Sequence, residues 1–243
     1  MPNDAAFLHH RLRLFFSVDL VGSTSLKQGR EKETADGPAS SSWFRAVALF
    51  YSMIPGTFRQ AWGDLGQRLP DRALAGDEPL FWKALGDEIL YHKEITDYRQ
   101  VLIALAAWRV AVRTVRRAVH SEFPSLDVKS AAWLANFPAP NYEVAFRADG
   151  PIPGTGSLLT ERDNLESLHD FYTQNGGRNL VLDFVGPTMD TGFRLAALAT
   201  PRKMVLSIGL AWMIAEAVAD PLALKHTGEW RLYFDGGVPL KGV

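Results

Sequence analysis

Two aspartates stand where carboxylates can do chemistry. Asp19 comes at the end of the apolar run RLRLFFSVDL over 11–20, and Asp87 lies in a Leu85-Gly86-Asp87 turn between two short apolar runs. Singly, an aspartate at a strand end is most often a solvated turn residue. As a pair, beside the small turn Val21-Gly22-Ser23-Thr24, they offer hard oxygen donors next to backbone N–H groups. Mg²⁺ is commonly held by one or two carboxylates together with substrate phosphates. A Gly-Ser-Thr turn leading into a helix can hold those phosphates.

A third segment, DFVGPTMDTGFR over 183–194, contributes Asp183, Asp190 and Arg194. Pro187 suits the first turn of a helix, which puts Asp190 and Arg194 four apart on one face. By spacing alone, that is an ordinary ion pair worth roughly 0.2–0.5 kcal/mol.

Positioning these groups takes a sheet. Residues 11–20 read as a buried strand that delivers Asp19 at its end, and 80–84 with 88–92 as a hairpin turning at Gly86-Asp87. Further strands are expected at 126–134, 180–184, 203–207 and 229–234. Helices are expected at 43–65, bent or broken at Pro55-Gly56, and at 97–123, 187–199 and 210–219. Residues 28–42 and 67–79 read as loops. With four prolines and five glycines, 137–177 reads as a loop-rich insertion holding one short helix near 164–172. The alternation points to a single α+β domain over 1–243 around a central sheet.

Composition narrows the chemistry. The 243 residues are 47% hydrophobic and 22% charged, with 14 Phe and 7 Trp, which is the make-up of a packed chain. Lys and Arg number 26 against 27 Asp and Glu, so the net charge of −1 gives no field that recruits nucleic acid or membrane. Zero cysteines exclude a disulfide scaffold, a thiolate nucleophile and a cysteine-ligated metal. They are consistent with a cytoplasmic location. The most apolar stretch, 204–219, carries Glu216 and falls short of the roughly 20 residues of a membrane span. No export signal precedes Arg13.

Together the three segments resemble the class III nucleotide cyclases. FSVDLVGST over 16–24 is similar to that family's first metal motif, and KALGD over 83–87 to its second, with the preceding base-contacting lysine. Residues 183–194 resemble the segment carrying a base-contacting acid, a ribose-contacting amide and the transition-state arginine. Order and spacing agree over roughly 11–212.

The resemblance implies a central, mostly antiparallel sheet flanked by helices, with a ferredoxin-like core. It implies two divalent metal ions per site, Mn²⁺ or Mg²⁺, on Asp19, Asp87 and the Leu20 carbonyl. Phosphates would lie over Val21, Gly22, Ser23 and Thr24, with Phe16 also on the substrate. Lys83 and Asp183 would face the base, and Arg194 would stabilise charge on the α-phosphate. The family usually has asparagine at the position of Asp190, which leaves Asp190 as the ribose contact or as the group that orients Arg194. A homodimer is implied too, each site drawing its aspartates from one protomer and its arginine from the other.

A narrower likeness lies in Gly186-Pro187-x-x-Asp190-x-Gly192-Phe193-Arg194, followed by Arg202-Lys203. It is similar to the pyrimidine cyclases of Pycsar anti-phage defence, as are the insertion before Asp183 and the missing His-x-Gly-type turn after the strand at Asp127. That likeness implies UTP as substrate, or CTP, and a cyclic product that acts on a separate effector protein as an antiviral messenger. ATP stays open, because Lys83 and Asp183 are also the residue types of adenylate cyclases. So does a module that binds nucleotide without turnover.

Other signals are weaker. Tyr51 and Trp82 read as core, with the alternative that Tyr51 narrows a base pocket against purines. Arg109, Arg113, Arg116, Arg117 and His120 form a basic stripe that reads as a solvated helix face, since no aromatics interleave. The histidines are scattered apart from His9-His10 and suggest no metal site. Lys241 resembles the family's late lysine near the phosphates.

Overall fold

The structure is a computed structural model that describes residues 9–28, 42–69, 72–147, 160–173 and 179–219. The expected strand at 229–234 and Lys241 lie outside these residues. In chain order the elements are β1 (Arg11–Val21), α1 (Ser23–Gln28), α2 (Ser42–Arg68), a 3₁₀ turn (Arg72–Ala75), β2 (Leu80–Leu85) and β3 (Glu88–Ile95). There follow α3 (Gln100–Glu122), β4 (Asp127–Phe137), β5 (Tyr142–Arg147), α4 (Glu161–Thr173), β6 (Leu180–Val185), α5 (Pro187–Ala197), β7 (Met204–Leu206) and α6 (Ile208–Ala219).

Five strands form the main sheet in the order β2-β3-β1-β4-β7, antiparallel except for the β4–β7 pair. β1 is central and covered on both faces, so that Arg13, Phe15 and Ser17 are buried on one side as Leu14, Phe16 and Val18 are on the other. Leu14, Phe16, Val18 and Leu20 point to a core built with α2, α3 and α6. Phe15 points the other way, into an aromatic cluster with Trp133, Phe137 and Phe184. Trp108 Nε1 donates to Ser130 Oγ, and that hydroxyl donates to the Ser17 carbonyl, both at 2.7 Å. This chain of bonds ties α3 to β4 and β1.

The second face is closed by a two-stranded ribbon, β5–β6, and by α5. The described residues within 137–177 hold more regular structure than expected. Tyr142–Arg147 is a strand, and the helix runs over Glu161–Thr173, longer than expected. The strand hides in the sequence because Glu143, an acid, is on its buried face. That carboxylate is satisfied by Arg13 Nε at 2.9 Å, Arg11 Nη2 at 2.8 Å and the Tyr172 hydroxyl at 2.5 Å. Burial of a charge is tolerated where such partners surround it.

α2 also differs from expectation, continuing through Pro55. Pro55 is exposed, while Phe50, Ile54, Phe58 and Trp62 pack along the other side. Continuous burial of that face outweighs the one hydrogen bond a proline forfeits. The apolar 204–219 stretch is split at Ser207 into β7 and α6. Among the described residues no helix is long and apolar enough to cross a membrane.

His92 on β3 sits between Phe15 and Phe184, with Nδ1 3.4 Å from Arg13 Nη1. Burial, and then the Arg13 charge, push its pKa down to about 3. A depressed folded-state pKa gives stability that is present above the unfolded value of ~6.5 and is lost as pH falls toward 3. Denaturant midpoints measured from pH 7 to pH 4 should therefore fall, this group contributing up to about 1.4 kcal/mol per pH unit within the window. His92→Asn, which cannot titrate, should show a shallower slope. An unchanged slope would mean His92 is not the group that is lost.

Candidate active site

The paired aspartates come together where β1 ends and the β2–β3 hairpin turns. Asp19 is in register with Glu88 of β3 on one side and with Lys129 of β4 on the other. The Leu20 N–H donates to the Asp87 carbonyl at 3.2 Å, fastening the two turns to each other. Asp87 accepts a hydrogen bond from the Ser23 hydroxyl and lies 3.7 Å from Lys27 Nζ. Asp19 lies 3.1 Å from Lys129 Nζ. Both carboxylates are about a quarter exposed, with side-chain values of 26% and 25%, so they are open to a ligand.

The turn between β1 and α1 depends on glycine. Gly22 has φ +91°, and a Cβ there would come within 3.0 Å of the Ser125 carbonyl oxygen. Ser23 follows as the first residue of α1 and reaches Asp87; Thr24 is exposed. Phe16 is not at this site. It is fully buried on the helix face, against Phe58 and Trp108, and its part is in packing.

Tyr51 is also placed differently from a simple core residue. Its ring packs against the helix-side core, but its hydroxyl donates to the Gly86 carbonyl at 2.5 Å. Burial, and then the Asp87 charge, raise its pKa. It supports the turn that carries Asp87.

Lys83 of β2 and Asp183 of β6 form a second group, paired at 2.7 Å and about one-third exposed. The Lys83 ammonium also lies over the Trp82 ring at 4.1 Å. Trp82 itself packs on Phe15, Phe184 and Phe193.

α5 carries the third group. Asn141, fully buried, donates to the Asn136 carbonyl and accepts from the Thr188 N–H, each at 2.9 Å. It thereby caps the first turn of α5 from the end of β4. Gly192 then lets the helix lie directly on the Trp133 indole. Asp190 and Arg194 are exposed, and the i,i+4 ion pair that their spacing allows is not formed. A cavity of about 200 Å³ separates Asp19, Glu88 and Lys129 from α5, which presents Phe193, Ala196 and Ala197 to it. Arg194 lies outside that cavity. Arg194 makes no ion pair with Asp19 or Asp87.

Sequence reasoning passed over Glu88 and Lys129. Glu88 accepts a hydrogen bond from the Ser17 hydroxyl, and burial raises its carboxyl pKa, with the Asp19 charge adding to the effect. Lys129 becomes visible only once the β1–β4 register is known. Among the described residues, no group of three or more His, Asp or Glu is placed to hold a metal ion. Two carboxylates of hard oxygen and a backbone carbonyl still fit Mg²⁺ or Mn²⁺, since substrate phosphates usually complete such a shell.

No family model matches the sequence, and no curated protein does. Solved structures do match. The adenylyl cyclase CyaB from P. aeruginosa superposes with a TM-score of 0.55 at 9% identity, over 86% of this chain and 82% of that one. The guanylate cyclase domain of RhGC from Catenaria anguillulae, solved with GTP, gives 0.50 at 12% identity, over 85% and 84%. At such identities the likeness is one of fold. This chain has the mixed α+β fold, a mostly antiparallel sheet flanked by helices, of the class III cyclase catalytic core.

Proposed function

We propose that this protein is a metal-dependent nucleotide cyclase that turns a nucleoside triphosphate into its 3′,5′-cyclic monophosphate and pyrophosphate. The observation that carries this reading is the division of the site. Asp19 and Asp87 share one open corner, while Arg194 is exposed on α5, does not line the cavity beside Asp19 and has no ion-pair partner among the described residues. A second copy would complete both halves at a two-fold interface. The ribbon face that bears Asp183 supports this, since Tyr142, Val181 and Val185 on that face are 55%, 42% and 43% exposed.

In the reaction, the 3′-oxygen bonds to the α-phosphorus, the bond to pyrophosphate breaks, and the hydroxyl proton passes to water. Divalent ions bound by Asp19, Asp87 and the Leu20 carbonyl would supply acidification of that hydroxyl and neutralisation of the leaving phosphates. The backbone of 21–24 holds the phosphates. Arg194 offers paired donors to the α-phosphate oxygens as charge grows on them. Asp190, one turn before it and not paired with it, contacts the ribose. Lys83 and Asp183 face the base.

The base divides the reading. Tyr51 sits at the Asp87 turn, so in a shared site it would meet a base held by the partner and narrow the pocket toward UTP or CTP. A cyclic pyrimidine product would act as a messenger on a separate effector in antiviral defence. CyaB, which superposes with this chain, is an adenylyl cyclase, which favours ATP as the second reading.

Incubation with Mn²⁺ and equal amounts of the four triphosphates, with products identified by mass, tests all of these. The pyrimidine reading expects cyclic UMP to exceed cyclic AMP by about tenfold or more, the discrimination a pocket achieves through size. Comparable or greater conversion of ATP would establish the purine reading. No cyclic product from any of the four would leave a nucleotide-binding module.

A further inference from the structure

We propose that a cationic cavity at the outer edge of β4 binds a small oligoanion of the pyrophosphate class. The cavity, of about 250 Å³, is lined by Arg109, Arg113 and Arg116 of α3, Lys129 of β4, and Arg202 and Lys203 of the turn before β7. No carboxylate lines it. Three of the six cations are already engaged, Arg109 among them. Arg116 donates to both oxygens of Asp127, at 2.6 and 2.9 Å, and Lys129 lies beside Asp19. Among the described residues, the side chains of Arg113, Arg202 and Lys203 have no carboxylate partner.

Arginines on the open face of α3 are ordinary by themselves. What needs a reason is that a separate turn brings two more cations to them in a chain whose net charge is −1. The turn makes the point sharper. The Lys203 N–H donates to the Thr200 carbonyl at 3.0 Å, Pro201 takes the second position, and Arg202 the third with φ +68°. A positive φ at that position marks a type II turn, which favours Gly or Asn there. Arginine occupies that position against the preference of the turn, an outlier of the kind that clusters at ligand sites.

Size and chemistry select the ligand. Sites for drug-sized molecules run to ~300–1,000 Å³, so this cavity suits a short phosphate chain and not a whole nucleotide. Guanidinium groups offer paired donors to phosphate oxygens. Lys129 lines both this cavity and the one holding Asp19. If the proposed cyclisation holds, its pyrophosphate is the nearest source of such an anion. The binding itself does not rest on that reading.

Titration calorimetry of the full chain with pyrophosphate tests this, in EDTA so that no metal-assisted binding at Asp19 and Asp87 contributes. Inorganic tripolyphosphate serves as a parallel probe. One-to-one binding of each anion is expected. The double variant Arg202→Gly, Lys203→Gln should weaken it by about tenfold or more. Because glycine suits the turn, the melting temperature of that variant should match or exceed wild type, which separates lost binding from misfolding. Arg194→Ala should bind like wild type. The proposal is overturned by absent binding in wild type, by unchanged affinity in the double variant, or by loss of binding in Arg194→Ala. Displacement of pyrophosphate by lower concentrations of duplex RNA would overturn it as well. No turnover is measured, so an inactive protein leaves the result interpretable.

Discussion

Mixing Asp19→Ala protein with Arg194→Ala protein should restore about a quarter of wild-type cyclase activity, although each variant alone is inactive. Each substitution removes a group from an exposed or half-exposed position, so neither opens the core. Under free subunit exchange, about half the dimers pair one variant with the other, and each of these keeps one intact site of two. Asp19→Ala mixed with Asp87→Ala should recover nothing, because both lesions fall in the same corner. Activity is read with saturating Mn²⁺, and exchange is verified by mass labelling. If the first mixture stays silent despite exchange, Arg194 must serve its own chain, and the shared site has to be given up.

Gly192→Ala should destabilise the protein and displace the arginine together with its helix. Alanine in a helix interior ordinarily gains up to about 1 kcal/mol over glycine. Here the added methyl would lie 2.2 Å from Trp133 Cε2. The indole cannot yield easily, since it is 1% exposed and stacked on Phe15 at 5.6 Å. Overpacking of this kind costs about 1–3 kcal/mol, so the clash outweighs the propensity gain. Gly56→Ala in α2 is the matched control: nothing lies within 4 Å of its added methyl, and it should stabilise by about 0.5–1 kcal/mol. Denaturant midpoints of the two variants should therefore move in opposite directions. Turnover should fall in Gly192→Ala alone.

Much of this arrangement can be read from the sequence, because local pattern governs it. The buried run ending in Asp19, the Gly86-Asp87 hairpin and the Pro187 helix start each declare themselves within about ten residues. What escaped depends on partners distant in sequence. Glu143 marks a buried strand only because Arg11 and Arg13 come to it across more than 120 residues. Phe16 and Phe15 are adjacent and equally apolar, and only the pleat decides that one meets the helices and the other the aromatic cluster. Tyr51 reads as core by its helical spacing, and its ring is in contact with the core; the bond from its hydroxyl to Gly86 has no local signature. Pro55 misled for the opposite reason, a strong local signal overruled by tertiary burial.

The two faces of the sheet are closed by parts of the chain that are made at different times. Once residue 137 is synthesised, β1 to β4 have α2 and α3 to cover one face, and Asp19 and Asp87 can already be neighbours. Phe15, Leu90, Trp133 and Phe137 on the opposite face must wait for Phe184, Met189 and Phe193. At about 5–20 residues per second, the intervening 56 residues take roughly 3–11 s to translate. For that interval a nascent chain on the ribosome carries a bare aromatic surface, the kind that chaperones recognise and that aggregates when crowded. The helix bearing Arg194 is the element that ends this exposure. The carboxylate corner is thus laid down first, and the arginine arrives on the lid that makes the chain safe to release.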